Sequence, residues 1–417
     1  MKKKLTAKQV NAIWYWIATV ARVLLGCTFI FSGFVKAVDP LGTTYKIEDY
    51  LNAFGGIFVD LLPLAGAAAV TLIAFEFLLG VLLLFNIWIN FDAWASLAFI
   101  CVMLPLTFYI ALTNPVTDCG CFGDALVLTN WQTFWKNVIF LALIILLLLG
   151  KYTLRQRFVD AAEWGIVLIA LLAVGGLMLY ARLALPPIDF RPYKIGSVIR
   201  EGMEIPEGEK TDVYKVTFIY EKEGDLQEFT IDNYPKDDTT WTFVDQRSEL
   251  IEKGYIPPIH DFNIISDEDG DITDDILDDE GTTVLAIMYD LNKANRKQVA
   301  KLNKIAYEAI QNGYRFYALT SSPTDDIEKF KEENNPIYEI CFMDGIQLKT
   351  IVRANPGVCV IKNGVVVDKY NVRQKDVDNI IIPEGFSVKS DDSDDSENSE
   401  YSENSEYSEN SEYSDNY

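Results

Sequence analysis

The stretch AIWYWIATVARVLLGCTFIFSGFVKAV, residues 12–38, carries one charge, Arg22, until Lys36 near its end. A helix needs about 20 apolar residues to cross about 30 Å of hydrocarbon. A bilayer offers no water to backbone N–H and C=O groups, so a helix is the expected solution. Four more apolar runs follow, over 61–85, 94–113, 131–149 and 164–185. Trp14, Trp16, Trp94, Trp131, Trp135 and Trp164 sit near the run ends, as interfacial aromatics do. Lys2, Lys3 and Lys4 would suit the start of a cleaved leader. The run is too long for that, and no convincing small-residue cleavage site follows, so a retained helix is expected.

Lys and Arg set the orientation. Lys2, Lys3, Lys4 and Lys8 precede the first run, and Lys151, Arg155 and Arg157 separate the fourth from the fifth. With five crossings both clusters fall on one side, which should be cytoplasmic. The loops around Tyr45 and Cys119, and everything after the fifth run, then face outward. This describes a multi-pass protein of the inner (cytoplasmic) membrane with a periplasmic C-terminal half. Half of the 417 residues are hydrophobic, yet the net charge is −24, with the acids crowded into the second half. An acidic surface argues against nucleic acid as a partner and against docking of the soluble part on anionic lipid. Membrane lipid and an extracytoplasmic client protein are the expected partners. A single His, His260, excludes a His-rich metal site, and with no nucleophile recognisable beside it His260 reads as an ordinary loop residue.

Charges inside a membrane are functional hypotheses by default. Arg22 and Glu76 lie inside the first and second runs at comparable depth and are expected to pair. The plain reading is an ion pair that fixes helix packing; the sharper one is a proton or quinone-linked site. No resident cofactor is read from the chain, and a quinone is the one candidate. The most specific local feature is Asp118-Cys119-Gly120-Cys121-Phe122-Gly123-Asp124, between the third and fourth runs. On the oxidising side disulfides persist. Two Cys separated by one residue close a ring only with strain, which Gly120 best tolerates, and strained disulfides exchange readily. Cys119 and Cys121 are therefore the candidate catalytic redox pair. A structural disulfide, within the loop or to a partner, is the alternative, and a metal site of two thiolates alone is incomplete. Cys27 and Cys101 fall within apolar runs and are expected as buried small side chains.

Arg22, Gly26, the run Phe29-Ile30-Phe31-Ser32-Gly33-Phe34-Val35-Lys36, Asp39-Pro40 and Glu76 with Gly80 resemble the opening of DoxX-family membrane proteins. The Cys119-Gly120-Cys121-Phe122-Gly123 loop resembles the MauE branch, linked to methylamine utilisation. Over roughly residues 10–150 the resemblance implies a four-helix bundle with a membrane-bound role in extracytoplasmic thiol or redox chemistry. The branch is associated with maturation of a disulfide-rich periplasmic subunit. The resemblance also puts Lys36 among the candidate site residues. It does not transfer methylamine as a substrate.

Beyond the fifth run, Pro186, Pro187 and Pro192 enforce an extended exit. Residues 213–243 alternate apolar and polar, as antiparallel strands do, with a turn at Glu223-Gly224-Asp225. Pro257 and Pro258 stiffen the stretch that follows. From residue 283 the pattern becomes strand (283–289), helix (293–311), strand (314–319), a helix from about 324, and a short strand (338–342). Asn355-Pro356-Gly357 then leads into a hairpin of 358–362 and 365–370, turned by Asn363-Gly364. This order, over about 265–385, resembles the thioredoxin fold, with Pro356 where that fold places a cis proline. The Cys-x-x-Cys position reads Leu291-Asn292-Lys293-Ala294-Asn295, without a thiol. Cys341 and Cys359 are expected as two separate buried thiols. From about Ser390 the chain repeats Ser-Glu-Asn-Ser-Glu-Tyr, a composition expected to be disordered.

The expected organisation is multi-domain. An α-helical transmembrane four-helix bundle spans 1–150, and a cytoplasmic loop with a fifth helix spans 151–187. An antiparallel β segment covers 188–264, an α/β thioredoxin-like domain lacking Cys-x-x-Cys covers 265–388, and an acidic tail covers 389–417. The leading functional reading is a membrane accessory to extracytoplasmic thiol or quinone-linked redox chemistry, or to client maturation. The alternative is a non-enzymatic anchored scaffold that binds through a redox-inactive thioredoxin-like domain. A transporter is disfavoured by the lack of repeats or broken helices.

Overall fold

The computed structural model describes residues 6–116, 119–210, 213–222, 225–230, 240–252 and 254–374. Lys2, Lys3, Lys4, Asp118, the Glu223-Gly224 turn and the 389–417 tail lie outside the described residues. Among the described residues, five helices are long and apolar enough to cross a membrane. They are α1 (Ala7–Val38), α3 (Ala65–Phe85, preceded by a 3-10 segment Gly56–Leu64), α4 (Ile89–Thr113), α5 (Asn130–Gly150) and α6 (Asp160–Leu183). Between α1 and α3 stands α2 (Pro40–Phe54), where the sequence reading placed only a loop. Its start signal is nonetheless present: Asp39 caps it by accepting from the Gly42 N–H at 2.9 Å, with Pro40 at the first helical position. Thr6 and Gln9 form a capping box at the start of α1, and Thr129 and Gln132 form another at the start of α5.

α1 and α3 touch backbone to backbone. A Cβ on Gly80 would lie 2.5 Å from the Ile30 nitrogen, and one on Gly33 would lie 2.8 Å from the Phe77 nitrogen. Small residues serve this purpose in membranes, where packing rather than water exclusion holds helices together. Gly80→Ala is therefore expected to cost about 1–3 kcal/mol through overpacking. Gly165→Ala, whose new Cβ would meet nothing, should leave stability intact. Thermal unfolding in detergent checks both, and equal midpoints would refute the close approach.

The expected Arg22–Glu76 pair does not form. Arg22 instead donates through Nη1 to the carbonyl oxygens of Leu83 and, at 2.6 Å, Leu84. It thus caps the C-terminal turn of α3, where orphan carbonyls and the negative end of the helix dipole favour a cation. Leu83 lies two turns beyond Glu76, about 10 Å at 1.5 Å per residue. Glu76 is matched by Lys36, nearer the other end of α1, at 2.8 Å. Equal depth along separate runs did not decide which residues oppose each other. Cys27 and Cys101 are exposed on the helix surfaces rather than buried.

The soluble half begins with α7 (Ile199–Met203) and a three-stranded antiparallel sheet. Its strands are β1 (Val213–Lys222), β2 (Asp225–Thr230) and β3 (Thr242–Glu252), in the order β2-β1-β3. A larger sheet follows, of β4 (Ile265–Ser266), β5 (Gly270–Asp271), β6 (Thr282–Ile287), β7 (Arg315–Thr320), β8 (Glu339–Phe342), β9 (Gly357–Lys362) and β10 (Val365–Asn371). Its order is β10-β9-β6-β7-β8-β4-β5, with β6, β7 and β8 parallel, β9 antiparallel to β6, and β10 antiparallel to β9. Four helices accompany it: α8 (Thr273–Leu277), α9 (Arg296–Gln311), α10 (Thr324–Asn334) and α11 (Gly345–Ile351). The sequence reading missed α11, which is only two turns long.

β6 is buried on both faces, as a central parallel strand should be. Val284, Ala286 and Met288 pack with Val299, Leu302 and Ile305 of α9 and Phe330 of α10. Leu285 and Ile287 face the other layer, with Tyr193, Ile199, Leu348 and Ile351. Asn363 and Gly364 both take positive φ, 49° and 69°, in the two-residue turn between β9 and β10. β10 is tied to the membrane half: the Asn371 amide donates to the Ala184 carbonyl at the end of α6, at 3.2 Å. Asp189, in the exit from α6, holds both Arg191 and Lys369 of β10. These two cations draw its carboxyl below the usual range against the opposing effect of burial.

Candidate functional site

The cysteine loop joins α4 to α5 and folds back over the end of α1. Gly123 N–H donates to the Gly120 carbonyl at 3.1 Å, closing a turn. Gly120 takes φ +62°, and a Cβ there would press the Lys46 side chain at 3.1 Å, so Gly satisfies both backbone and space. The Cys119 and Cys121 sulfurs stand 2.8 Å apart, both as free thiols. Their carbonyls are held from the bundle. Tyr50 of α2 donates to Cys119 O at 2.7 Å, and Ser32 of α1 donates to Cys121 O at 2.7 Å.

Lys36 is the hub beneath the loop. Its ammonium donates to Cys121 O, to Ser32 Oγ at 2.7 Å and to Glu76 Oε2 at 2.8 Å. Three protons meet three acceptors in this arrangement. Phe122 packs against Phe31, with the Lys136 ammonium 4.6 Å above its ring.

The two thiols are not equivalent. Cys121 is drawn down, chiefly by the hydrogen bond from the Cys119 thiol, helped by Lys136 and Lys36. Burial and Glu76 act against this. Cys119 is pushed up, first by that same hydrogen bond and then by burial. The proton therefore rests on Cys119, and Cys121 is the thiolate-prone sulfur, the form that attacks disulfides. Among the described residues no group of three or more His, Cys, Asp or Glu gathers around a metal position.

The soluble half seats itself on this corner. Arg353, two residues before Asn355, reaches Asp39 at 2.8 Å and Asp124 at 3.6 Å. Asp39 thus caps α2 and receives the soluble half with the same carboxylate. Burial pushes the Asp124 carboxyl up, with Arg353 opposing. Tyr45 of α2 meets Tyr289 hydroxyl to hydroxyl at 3.2 Å, and Lys349 of α11 lies 4.9 Å from the Tyr45 ring centre. The Asn355–Pro356 bond is cis, and the Asn355 amide donates to the Asp290 carbonyl at 2.7 Å. Residues Leu291–Lys293 form a single 3-10 turn. Cys341 and Cys359 lie buried in β8 and β9, with β6 and β7 between them, and burial pushes both up to about 12. Three sheet spacings of about 4.8 Å separate them. His260 is exposed, its Nδ1 3.2 Å from the Pro257 carbonyl oxygen.

The structure therefore gathers Cys119, Cys121, Lys36 and Glu76 in one place and leaves Arg22 midway along α1, about 21 Å from Lys36 at 1.5 Å per residue. Pro356 lies in the soluble half, in the segment that begins at Arg353. Sequence reading missed Ser32, Tyr50, Lys136 and Arg353 as members of the site. Ser32 and Lys36 stand four residues apart, on one helix face, and that spacing was a usable signal. Nothing local marks Arg353.

Five apolar helices, a cysteine loop at one end and a mixed α/β half seated over it define a multi-pass membrane protein with an attached soluble module. Its membrane half is MauE-like: residues 14–150 match the family described as methylamine utilisation protein MauE. Residues 214–253, which include most of the three-stranded sheet, match a domain of unknown function. No curated protein and no solved structure matches the chain.

Proposed function

We propose that Cys119 and Cys121 exchange disulfides with a client protein on the extracytoplasmic face, as part of that client's maturation. The observation that carries the proposal is a pair of sulfurs 2.8 Å apart, held by Ser32, Tyr50 and Lys36. In the dithiol form, the Cys121 thiolate attacks a client disulfide. The client S–S bond breaks, a mixed disulfide forms on Cys121 and one client thiolate leaves. Cys119, losing its proton, attacks the Cys121 sulfur and expels the second client thiolate. The client gains two electrons and two protons, one from Cys119 and one from water, and the pair becomes a disulfide. The reverse sequence oxidises a client dithiol and restores the pair. Turnover in either direction draws on a second protein dithiol or disulfide.

The outward orientation is supported by Lys151, Arg155 and Arg157, at the bundle end opposite the loop. The strand order of the larger sheet, the cis Asn355–Pro356 bond and the Leu291–Lys293 turn support a thioredoxin-like soluble domain without its own thiols. It would serve as a client-binding module that positions a disulfide over the loop. Thiol trapping in membranes, with and without prior reduction, tests the exchange. A fraction of Cys119 and Cys121 that alkylates only after reduction is the expected result. Identical alkylation under both conditions sinks the idea.

One observation favours a second reading, a non-enzymatic scaffold: Arg353 and Tyr289 already cover the corner beside the loop. Full activity of a Cys119→Ser/Cys121→Ser variant in cells would select that reading.

A further inference from the structure

The end of the bundle away from the cysteine loop holds a second, unassigned feature. The first half of α1, the C-terminus of α3 and the 151–157 connection enclose a cavity of about 340 Å³. Its lining includes Tyr15, Thr19, Arg22, Asn86, Arg155 and Arg157, and it contains no carboxylate. Arg22, Arg155 and Arg157 all contribute to that lining, with no acid among the lining residues.

The site is built rather than incidental. Arg22 is 3% exposed and fixed by the α3 carbonyls, yet its Nε–H has no acceptor. The Thr19 hydroxyl also lacks a partner. Asn86, 3% exposed, donates to the Arg155 carbonyl at 2.7 Å and so pins the connection that carries the other two arginines. Its own Oδ1 is unpartnered, as is the Thr19 hydroxyl. Arg155 and Arg157 are exposed side chains at the cavity rim. Two acids stand nearby. Asp92 is buried with neither oxygen hydrogen-bonded and interacts with Arg22 through space. Asp160 accepts from Gln156 at 3.2 Å. With both ionised, three guanidinium charges still exceed two carboxylates.

A buried guanidinium with an unused N–H, beside two exposed arginines in a hollow of this size, suits a compact oxyanion. We propose that this cavity binds a phosphate group, carried either by a soluble phosphate ester or by a phospholipid headgroup. The proposal is independent of the thiol chemistry at the other end.

The test uses the full chain in non-ionic maltoside micelles and phosphate-free buffer, followed by thermal unfolding. One arm adds inorganic phosphate and the other adds phosphatidylglycerol, each against matched sodium chloride. Binding to the folded state raises the midpoint saturably. A rise with inorganic phosphate assigns a soluble ester, and a rise with phosphatidylglycerol alone assigns a headgroup. Arg155→Gln/Arg157→Gln is expected to weaken the response about tenfold or more, the loss of one or two charge-assisted hydrogen bonds. Without additive it should unfold where the unsubstituted protein does. Should the double variant fail to fold, Arg157→Gln alone is expected to show a smaller loss in the same direction. No saturable rise in either arm, or an undiminished response in the variants, overturns the proposal.

Discussion

Glu76→Gln is expected to destabilise the protein by about 3–5 kcal/mol, the usual cost of leaving one buried charge without its counter-ion. Lys36 and Glu76 are 8% and 9% exposed at their side chains and lie in helices surrounded by lipid and protein. Removing the carboxylate strands the Lys36 ammonium between two neutral oxygens, Ser32 Oγ and Cys121 O. Lys36→Met should cost a similar amount, because it strands Glu76. The double variant Lys36→Met/Glu76→Leu buries no charge and should recover most of either loss. Denaturation midpoints for the four proteins give the coupling directly. Single variants as stable as the unsubstituted protein would show that the pair is not energetically real. The double variant carries a second readout: it frees the Cys121 carbonyl from Lys36, so loop reactivity should change even where stability returns.

The second large effect is on Cys121 reactivity. A thiol drawn below its ordinary value carries more thiolate at pH 7, so alkylation should level off at lower pH than for an ordinary thiol. A thiol at the ordinary 9 would still be climbing tenfold per unit at pH 7. Cys119→Ala removes the largest cause of the depression, the hydrogen bond from the neighbouring thiol. Its alkylation at pH 6 should be slower by about tenfold or more, since each pK unit is a factor of ten in thiolate. Lys136→Met should shift the profile in the same direction by less, since its cation is a smaller cause. The measurement belongs in a Cys27→Ser/Cys101→Ser background, because those two thiols are exposed. A Cys119→Ala profile that overlays that background protein would remove the physical basis for naming Cys121 as the nucleophile.

The parts of the site legible in the sequence were those with a local signature. Cys119-Gly120-Cys121 announces itself by spacing, and Gly120 proved to hold a left-handed turn that its type alone suggests. Intramembrane charges were visible as charges, but their partners were not. Arg22 was assigned to Glu76 because both lie deep in apolar runs. Helix α1 meets α3 in a register set by contacts at Gly33 and Gly80, and that register puts Glu76 beside Lys36. α2 was overlooked because its apolar residues are few, although Asp39-Pro40 marks its start.

By itself the sequence determined which segments enter the membrane and which alternate as strands and helices. Those outcomes follow from the free energy of moving each short stretch out of water, a property of the stretch alone. It determined the turn at Asn363-Gly364 and the absence of a thiol at 291–295 for the same local reason. Only the tertiary structure decided that Arg353 closes on Asp39, 314 residues away, and that Lys36 anchors the Cys121 carbonyl. Such pairings depend on helix rotation, helix register and the seating of one half on the other. Close packing at glycines and the pairing of buried charges select these jointly, and no single segment encodes them.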